Sequence, residues 1–190
     1  MPLQGLDRVQ QRVGIIPRVL FLGALVTFLF GCYRVSQYSG DGSLVDNGIF
    51  SASNRYVLDL GPVDLTGRGT TTYRIGNLPD VRFALGIKLS TATPELRRTL
   101  EKQLANAILS LEIKGPGGET LVSKKAALGT WIWSEHQDGN WAFVYGREEP
   151  STFFTASPNS RYVLTLTVLE PDRSQSKYAA VLIARSGGWK

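Results

Sequence analysis

Apolar and polar positions alternate with a period of two along much of the chain. Val81, Phe83, Leu85, Ile87 and Leu89 interleave with Arg82, Ala84, Gly86, Lys88 and Ser90, and Leu109, Leu111 and Ile113 interleave with Ser110, Glu112 and Lys114. This pattern predicts strands with one apolar face. Gly115-Pro-Gly-Gly118 then turns the chain into a further strand at Thr120 to Ser123. Tyr162 to Leu169 and Tyr178 to Ala184 predict two more, and the last is apolar nearly throughout, as a central strand is. One helical pattern interrupts them near 94–107. Thr93 suits the cap, Pro94 the first helical position, and Leu96, Leu100, Leu104 and Ile108 recur every four residues. The expectation is an all-β antiparallel sandwich over residues 49–190 with one short amphipathic helix plugging an end.

The sandwich contains an internal echo. Phe50-Ser-Ala-Ser-Asn-Arg-Tyr-Val-Leu-Asp-Leu60 returns as Phe154-Thr-Ala-Ser-Pro-Asn-Ser-Arg-Tyr-Val-Leu-Thr-Leu166. Each copy delivers an Arg-Tyr pair into a strand, so Tyr56 and Tyr162 are expected to bury their rings and send their hydroxyls to backbone across a corner. Chance recurrence of a good turn-to-strand solution is the alternative, and under either reading the role of the echo is architectural. A polar turn followed by a Tyr-led strand also resembles jelly-roll domains appended to secreted peptidases, which implies a jelly-roll-like order of strands.

The N-terminus has a different pattern. Residues 1–18 are polar and basic, residues 19–31 run without a charge, and Cys32 follows. Thirteen helical residues reach about 20 Å, short of a hydrocarbon core of roughly 30 Å. The stretch therefore has the length of a cleavable hydrophobic region. Leu29-Phe30-Gly31-Cys32 after a basic leader resembles the signal of bacterial lipoproteins. That resemblance implies removal of residues 1–31, acylation of Cys32, and attachment to a bacterial cell-envelope membrane by lipid. Tyr33 after the cysteine implies, in a Gram-negative envelope, an outer-membrane position facing the periplasm. Two alternatives stay open: an uncleaved signal anchor, with Val13 to Ile16 extending the apolar stretch while Arg18 snorkels, and a merely buried N-terminal helix. Residues 32–48, rich in Ser, Gly and Asp, read as a flexible tether that lifts the domain off the membrane.

Charge adds little. The formal balance of +5 becomes +3 without residues 1–31, because three arginines and one aspartate leave 18 basic against 15 acidic side chains. No basic run is longer than Arg97-Arg98 or Lys124-Lys125, so no nucleic-acid partner is expected. The 159 remaining residues suffice to bury about two thirds of the unfolded surface without a staple. Cys32 is the only cysteine, so no internal disulfide forms.

Catalytic chemistry has few residues to draw on. His136 is the only histidine, no serine sits in a Gly-x-Ser-x-Gly elbow, and the Gly115 to Gly118 turn lacks the Lys-Ser/Thr of a phosphate loop. No catalytic set, metal site or cofactor is expected. A carboxylate-dependent hydrolase would need two of Glu135, Asp138, Glu148 and Glu149 in one cleft. The more informative group is an aromatic hairpin, in which Trp131, Trp133, Trp141, Phe143 and Tyr145 flank Gln137-Asp-Gly-Asn140. With a two-residue loop the first two tryptophans oppose the other three aromatics across the sheet. With a three-residue loop all five share one face, an arrangement preferred because it separates large from small residues. Exposed, that face would be a possible ligand-binding platform for a glycan or an envelope protein; buried, it would be core. The first reading of function is a lipid-anchored, non-enzymatic binding or scaffolding module, with glycan recognition by the hairpin as the alternative and hydrolysis after it.

Overall fold

The computed structural model describes residues 33–34, 37–48, 55–135, 140–174 and 177–186, and the chain divides into two units at Cys32/Tyr33. The leader, Cys32, residues 50–54 of the first echo copy, His136 and Asp138 lie outside the described residues. Among the described residues no helix is long and apolar enough to cross a membrane.

The second unit is an all-β sandwich of two antiparallel sheets. Its strands are β1 (Tyr33–Arg34), β2 (Ser39–Gly40), β3 (Ser43–Asp46), β4 (Tyr56–Pro62), β5 (Gly69–Gly76), β6 (Arg82–Ser90), β7 (Ile108–Lys114), β8 (Thr120–Ala127), β9 (Ile132–Glu135), β10 (Trp141–Tyr145), β11 (Phe153–Thr155), β12 (Arg161–Glu170) and β13 (Ala179–Ser186). The larger sheet runs β1-β3-β4-β13-β6-β10-β9, with β11 also paired to β6, and the smaller runs β2-β5-β12-β7-β8. Strands β4-β13-β6-β10 thus face β5-β12-β7-β8. Counting only these eight, the first lies beside the last and the second beside the seventh, which is the jelly-roll order. As its composition implies, β13 is interior, between β4 and β6.

The alternation maps onto the layers. Phe83, Leu85, Ile87 and Leu89 of β6 are fully buried against Leu109, Leu111 and Ile113 of β7 and Tyr162, Leu164 and Leu166 of β12 in one core. Each contributes on the order of 1.5–3 kcal/mol by leaving water. The helix α1 spans Pro94–Gln103, with Thr93 Oγ1 accepting the Leu96 N–H at 3.3 Å. It is shorter than expected. A 3-10 turn, Leu104–Asn106, ends it, and Ile108 is the first residue of β7, paired to Ala127. The sheet ladder takes Ile108 out of the helical row. Leu100 and Leu104 stay fully buried while Leu96 is 45% exposed.

The echo resolves into two different solutions. Tyr162 is buried, and its hydroxyl oxygen accepts the Ser157 N–H at 2.7 Å, closing the corner before β12. Tyr56 is only half-buried. The Arg55 guanidinium lies 4.9 Å from its ring centroid and pairs with Asp46 at 3.5 Å.

Within the expected tether at 32–48, three short strands instead belong to the sandwich. Tyr33 and Arg34 pair with Asp46 and Val45, Ser39 and Gly40 pair into the smaller sheet, and Ser43 to Asp46 pair into the larger. Gly40-Asp41-Gly42 carries the chain between sheets. The Asp41 N–H donates to the Arg74 carbonyl at 2.8 Å, and Asp41 Oδ2 accepts the Arg74 N–H at 2.7 Å. Gly40 and Gly42 have φ of 118° and 82°, and a Cβ on either would drive into the carbonyl of Arg74 or Asp59. The composition of a flexible linker and that of a tight crossover are alike, and only pairing separates them.

The connection from β12 to β13 is held by Asp172, only 6% exposed, whose carboxylate accepts from the Ser174 N–H (2.8 Å), the Ser174 hydroxyl (2.7 Å) and the Tyr178 hydroxyl (2.9 Å). Burial, then the hydrogen bond and charge of Asp172, push the Tyr178 hydroxyl well above the ordinary tyrosine range.

Two outcomes follow for stability. Gly42→Ala and Gly40→Ala should each lower stability by at least about 2 kcal/mol, read as a reduced urea midpoint, while Gly69→Ala, which meets open space, should change it by less than about 0.5 kcal/mol. A freely moving tether would tolerate all three. Stability should also fall as pH rises past about 10, because the unfolded chain releases a tyrosine proton there that the folded chain retains. Tyr178→Phe should make that decline shallower without abolishing it, since Tyr38, Tyr56 and Tyr73 are shifted upward too.

Candidate binding face

The register of β10 decides where the aromatic hairpin goes. Val144 pairs with Trp133 and Tyr145 with Ile132, and directly opposed residues share a face. The five aromatics therefore do not form one platform, contrary to the preferred three-residue-loop arrangement. Trp131, 4% exposed, and Trp133 belong with Val144 to the main core; Phe143, Tyr145 and Trp141 lie on the opposite, outer face of the larger sheet. The preference for segregating large from small fails because both faces of β10 are packed and each needs bulk. The Trp133 indole N–H donates to the Leu128 carbonyl at 3.2 Å, whereas the buried Trp131 Nε1 makes no hydrogen bond among the described residues.

The outer face has a second, thinner apolar cluster, drawn from one sheet alone. Ala84 of β6, Phe143 and Tyr145 of β10 and Ile183 of β13 are buried, with Ile132, Trp141, Phe153 and Val181 half-buried around them. Gly86 sits beneath. It pairs with Tyr145, and a Cβ there would stand 2.7 Å from Phe143 Cε2, so the missing side chain lets the Phe143 ring lie flat on the sheet. The Phe143 and Tyr145 rings stack at 5.1 Å and 18°, and Phe153 meets Tyr145 edge-on at 5.8 Å and 89°.

Cations lie along this aromatic row. Arg185 Cζ is 5.1 Å from the Phe143 centroid and 5.5 Å from that of Trp141, Lys88 Nζ is 4.9 Å from Trp141, and Arg82 Cζ is 4.4 Å from Phe153. Each contact is worth about 0.5–1 kcal/mol where exposed and about 2 where desolvated. Burial lowers the pKa of Arg185, partly offset by Tyr145. Ion pairs among the described residues join Arg55 to Asp46, Arg68 to Glu170 and Lys114 to Glu112, and none involves Arg82, Lys88 or Arg185. Sequence reasoning missed these cations and Phe153. Arg82 and Lys88 occupy outward positions of the β6 alternation, a signal present in the sequence, but Arg185 falls one residue beyond the strand expected at Tyr178 to Ala184 and joins β13 only in the structure.

A shallow groove of roughly 540 Å³ adjoins the face at Arg82 and Phe153 and continues past Leu121 and Ser123 of β8 to Glu149, Pro150 and Ser151. The loop on its rim is cinched at its base, where the Gly146 N–H donates to Thr152 Oγ1 at 3.0 Å and the Thr152 N–H donates to the Gly146 carbonyl at 2.9 Å. Lys124, 7% exposed, shares the inner face with its partner Leu111, and its Nζ donates to the carbonyls of Pro150 (2.7 Å) and Glu148 (3.3 Å). Of the four carboxylates considered for hydrolysis, Glu149 alone lines the groove, where its Oε2 accepts the Ser151 N–H at 3.1 Å. Glu148 is exposed on the same loop, Asp138 lies outside the described residues, and Glu135 is placed only by its strand position. Among the described residues no cluster of His, Cys, Asp or Glu could hold a metal ion.

No protein-family model matches the chain, and no curated protein matches it. A crystal structure from Sulfurospirillum deleyianum is similar over 70% of this chain and 98% of that one, with a TM-score of 0.47 at 5% sequence identity.

Proposed function

We propose that this chain is a lipid-anchored module of a bacterial cell envelope whose sandwich binds a partner without catalysing a reaction. The observation that carries the binding half is the outer face of the larger sheet, where Arg82, Lys88 and Arg185 are held over aromatic rings with no carboxylate to neutralise them among the described residues. A half-buried guanidinium without a counter-charge is costly to maintain unless something anionic meets it. The anchoring half rests on the leader, since an apolar stretch of thirteen residues ending at Gly31-Cys32 suits a cleaved signal better than a span. Several acyl chains at Cys32 would make attachment stable, each buried methylene contributing about 0.8 kcal/mol.

Intact mass of the N-terminus and detergent partitioning test the anchor together. The natively expressed protein should begin at Cys32 with the added mass of acyl chains, and only wild type, not Cys32→Ala, should enter the detergent phase. Residues 1–31 still attached above a free thiol, with both forms partitioning alike, would refute cleavage and acylation in favour of a retained helical anchor.

A further inference from the structure

We infer that the outer face of the larger sheet lies against the membrane, where Trp141, Lys88 and Arg185 take the headgroups of anionic phospholipids; this rests on the anchored reading above. The first ground is the leash. Tyr33 already pairs with Asp46 in β1, so one peptide bond separates an acylated Cys32 from the sheet, with no spacer to lift the domain into solution. Five strand spacings of about 4.8 Å take the larger sheet from β1 to β10, so Trp141 is about 24 Å across the sheet from the anchored edge. A sheet lying flat brings both to the surface together.

The second ground is chemistry. Trp and Tyr with Lys and Arg are the side chains that settle at a bilayer interface, their rings at headgroup depth and their cations on lipid phosphates. Lys88 and Arg185 converge on the one Trp141 ring, which places two positive charges beside the aromatic surface. Polar readers of sugar hydroxyls are sparse on this face: Ser90 opposes Trp141, Ser134 opposes Phe143, and Asp59 opposes Ile183 with its Oδ1 accepting the Gly61 N–H. Phe143 lying on Gly86 also makes the face flat rather than hollow. A broad cationic surface with the half-exposed Trp141 ring between its charges complements a planar anionic one better than it complements a sugar ring.

The test uses the full, natively processed protein in vesicles of phosphatidylcholine alone or with phosphatidylglycerol, carrying lipid brominated near the headgroup end of its chains. Tryptophan fluorescence should be quenched several-fold more in the anionic vesicles, added salt should weaken the effect, and Trp141→Phe should remove most of it. Lys88→Glu with Arg185→Glu should reduce the quenching to its level in neutral vesicles. Quenching that is equal in both vesicles, or that Trp141→Phe leaves unchanged, would overturn the inference. So would an acidic oligosaccharide that shifts Trp141 emission in neutral vesicles while lipid charge has no effect, which would make the face a glycan site. The vesicle-charge comparison needs only wild-type protein and stands if the double variant fails to fold. Failure of the anchor appears separately, as equal detergent partitioning of wild type and Cys32→Ala.

Discussion

Strand β6 is packed on both faces, and its pairing with β10 governs what lies inside and outside the sandwich. Phe83, Leu85, Ile87 and Leu89 point into the main core, while Ala84 and Gly86 underlie the outer cluster. Side chains alternate strictly along a strand, so a one-residue slip of β10 would carry Phe143 inward and Val144 outward. The vacancy above Gly86 accepts a phenyl ring lying flat, and the packed core accepts Val144. Volume on both sides therefore fixes the register, and burial of Phe143 on the outside contributes about as much as a core leucine, roughly 1.5–3 kcal/mol.

This two-sided packing explains which parts of the fold were legible in the sequence. Where one face is apolar and the other polar or small, as in β6, β7 and β12, alternation identifies the strand and its inner face. The Thr-rich β5 carries no such contrast. Of its side chains only Tyr73 and Ile75 are buried, and its outward threonines pair across to β12, as Thr70 does to Thr167 at 3.0 Å. The crossover at Gly40 to Gly42 was misread for a related reason. Its residue types serve a tether and a tight passage equally, and the partners that distinguish them, Arg74 and Asp59, are distant in sequence. The echoed Arg-Tyr pairs located two strand entrances correctly, yet Tyr162 and Tyr56 diverge because their surroundings supply a backbone donor to one and a salt-bridged arginine to the other.

The candidate face was legible only in part. Trp141, Phe143 and Tyr145 could be singled out because aromatics at alternate positions must share a side. Trp131 and Trp133 could not be separated from them without the loop register. Their cationic neighbours come from β6, which pairs with β10, and from β13 on the far side of β6, an arrangement set by the jelly-roll order rather than by sequence proximity. The same holds for Lys124, which occupies an inward position yet ends on the carbonyls of a loop more than twenty residues away. An inward lysine on an edge strand looks like an error in a pattern of alternation. In the folded chain it ties the β10–β11 loop to the smaller sheet.

The glycine that makes room for Phe143 also shapes what the outer face can receive. Side chains laid flat along a sheet produce breadth without depth, and breadth suits an extended or planar partner rather than a small molecule that must be surrounded to be bound. The cations reinforce this, because they are spread along the aromatic row, Arg82 over Phe153 and Lys88 and Arg185 beside Trp141, rather than gathered in one enclosed pocket. With β1 beginning immediately after Cys32, an acylated chain would be tied to the membrane along an edge of this same sheet. A tether of several residues would leave the orientation of the sandwich free. A strand-paired residue directly after such an anchor would restrict it, and that restriction would give the distribution of charge over one face a bearing on the bilayer.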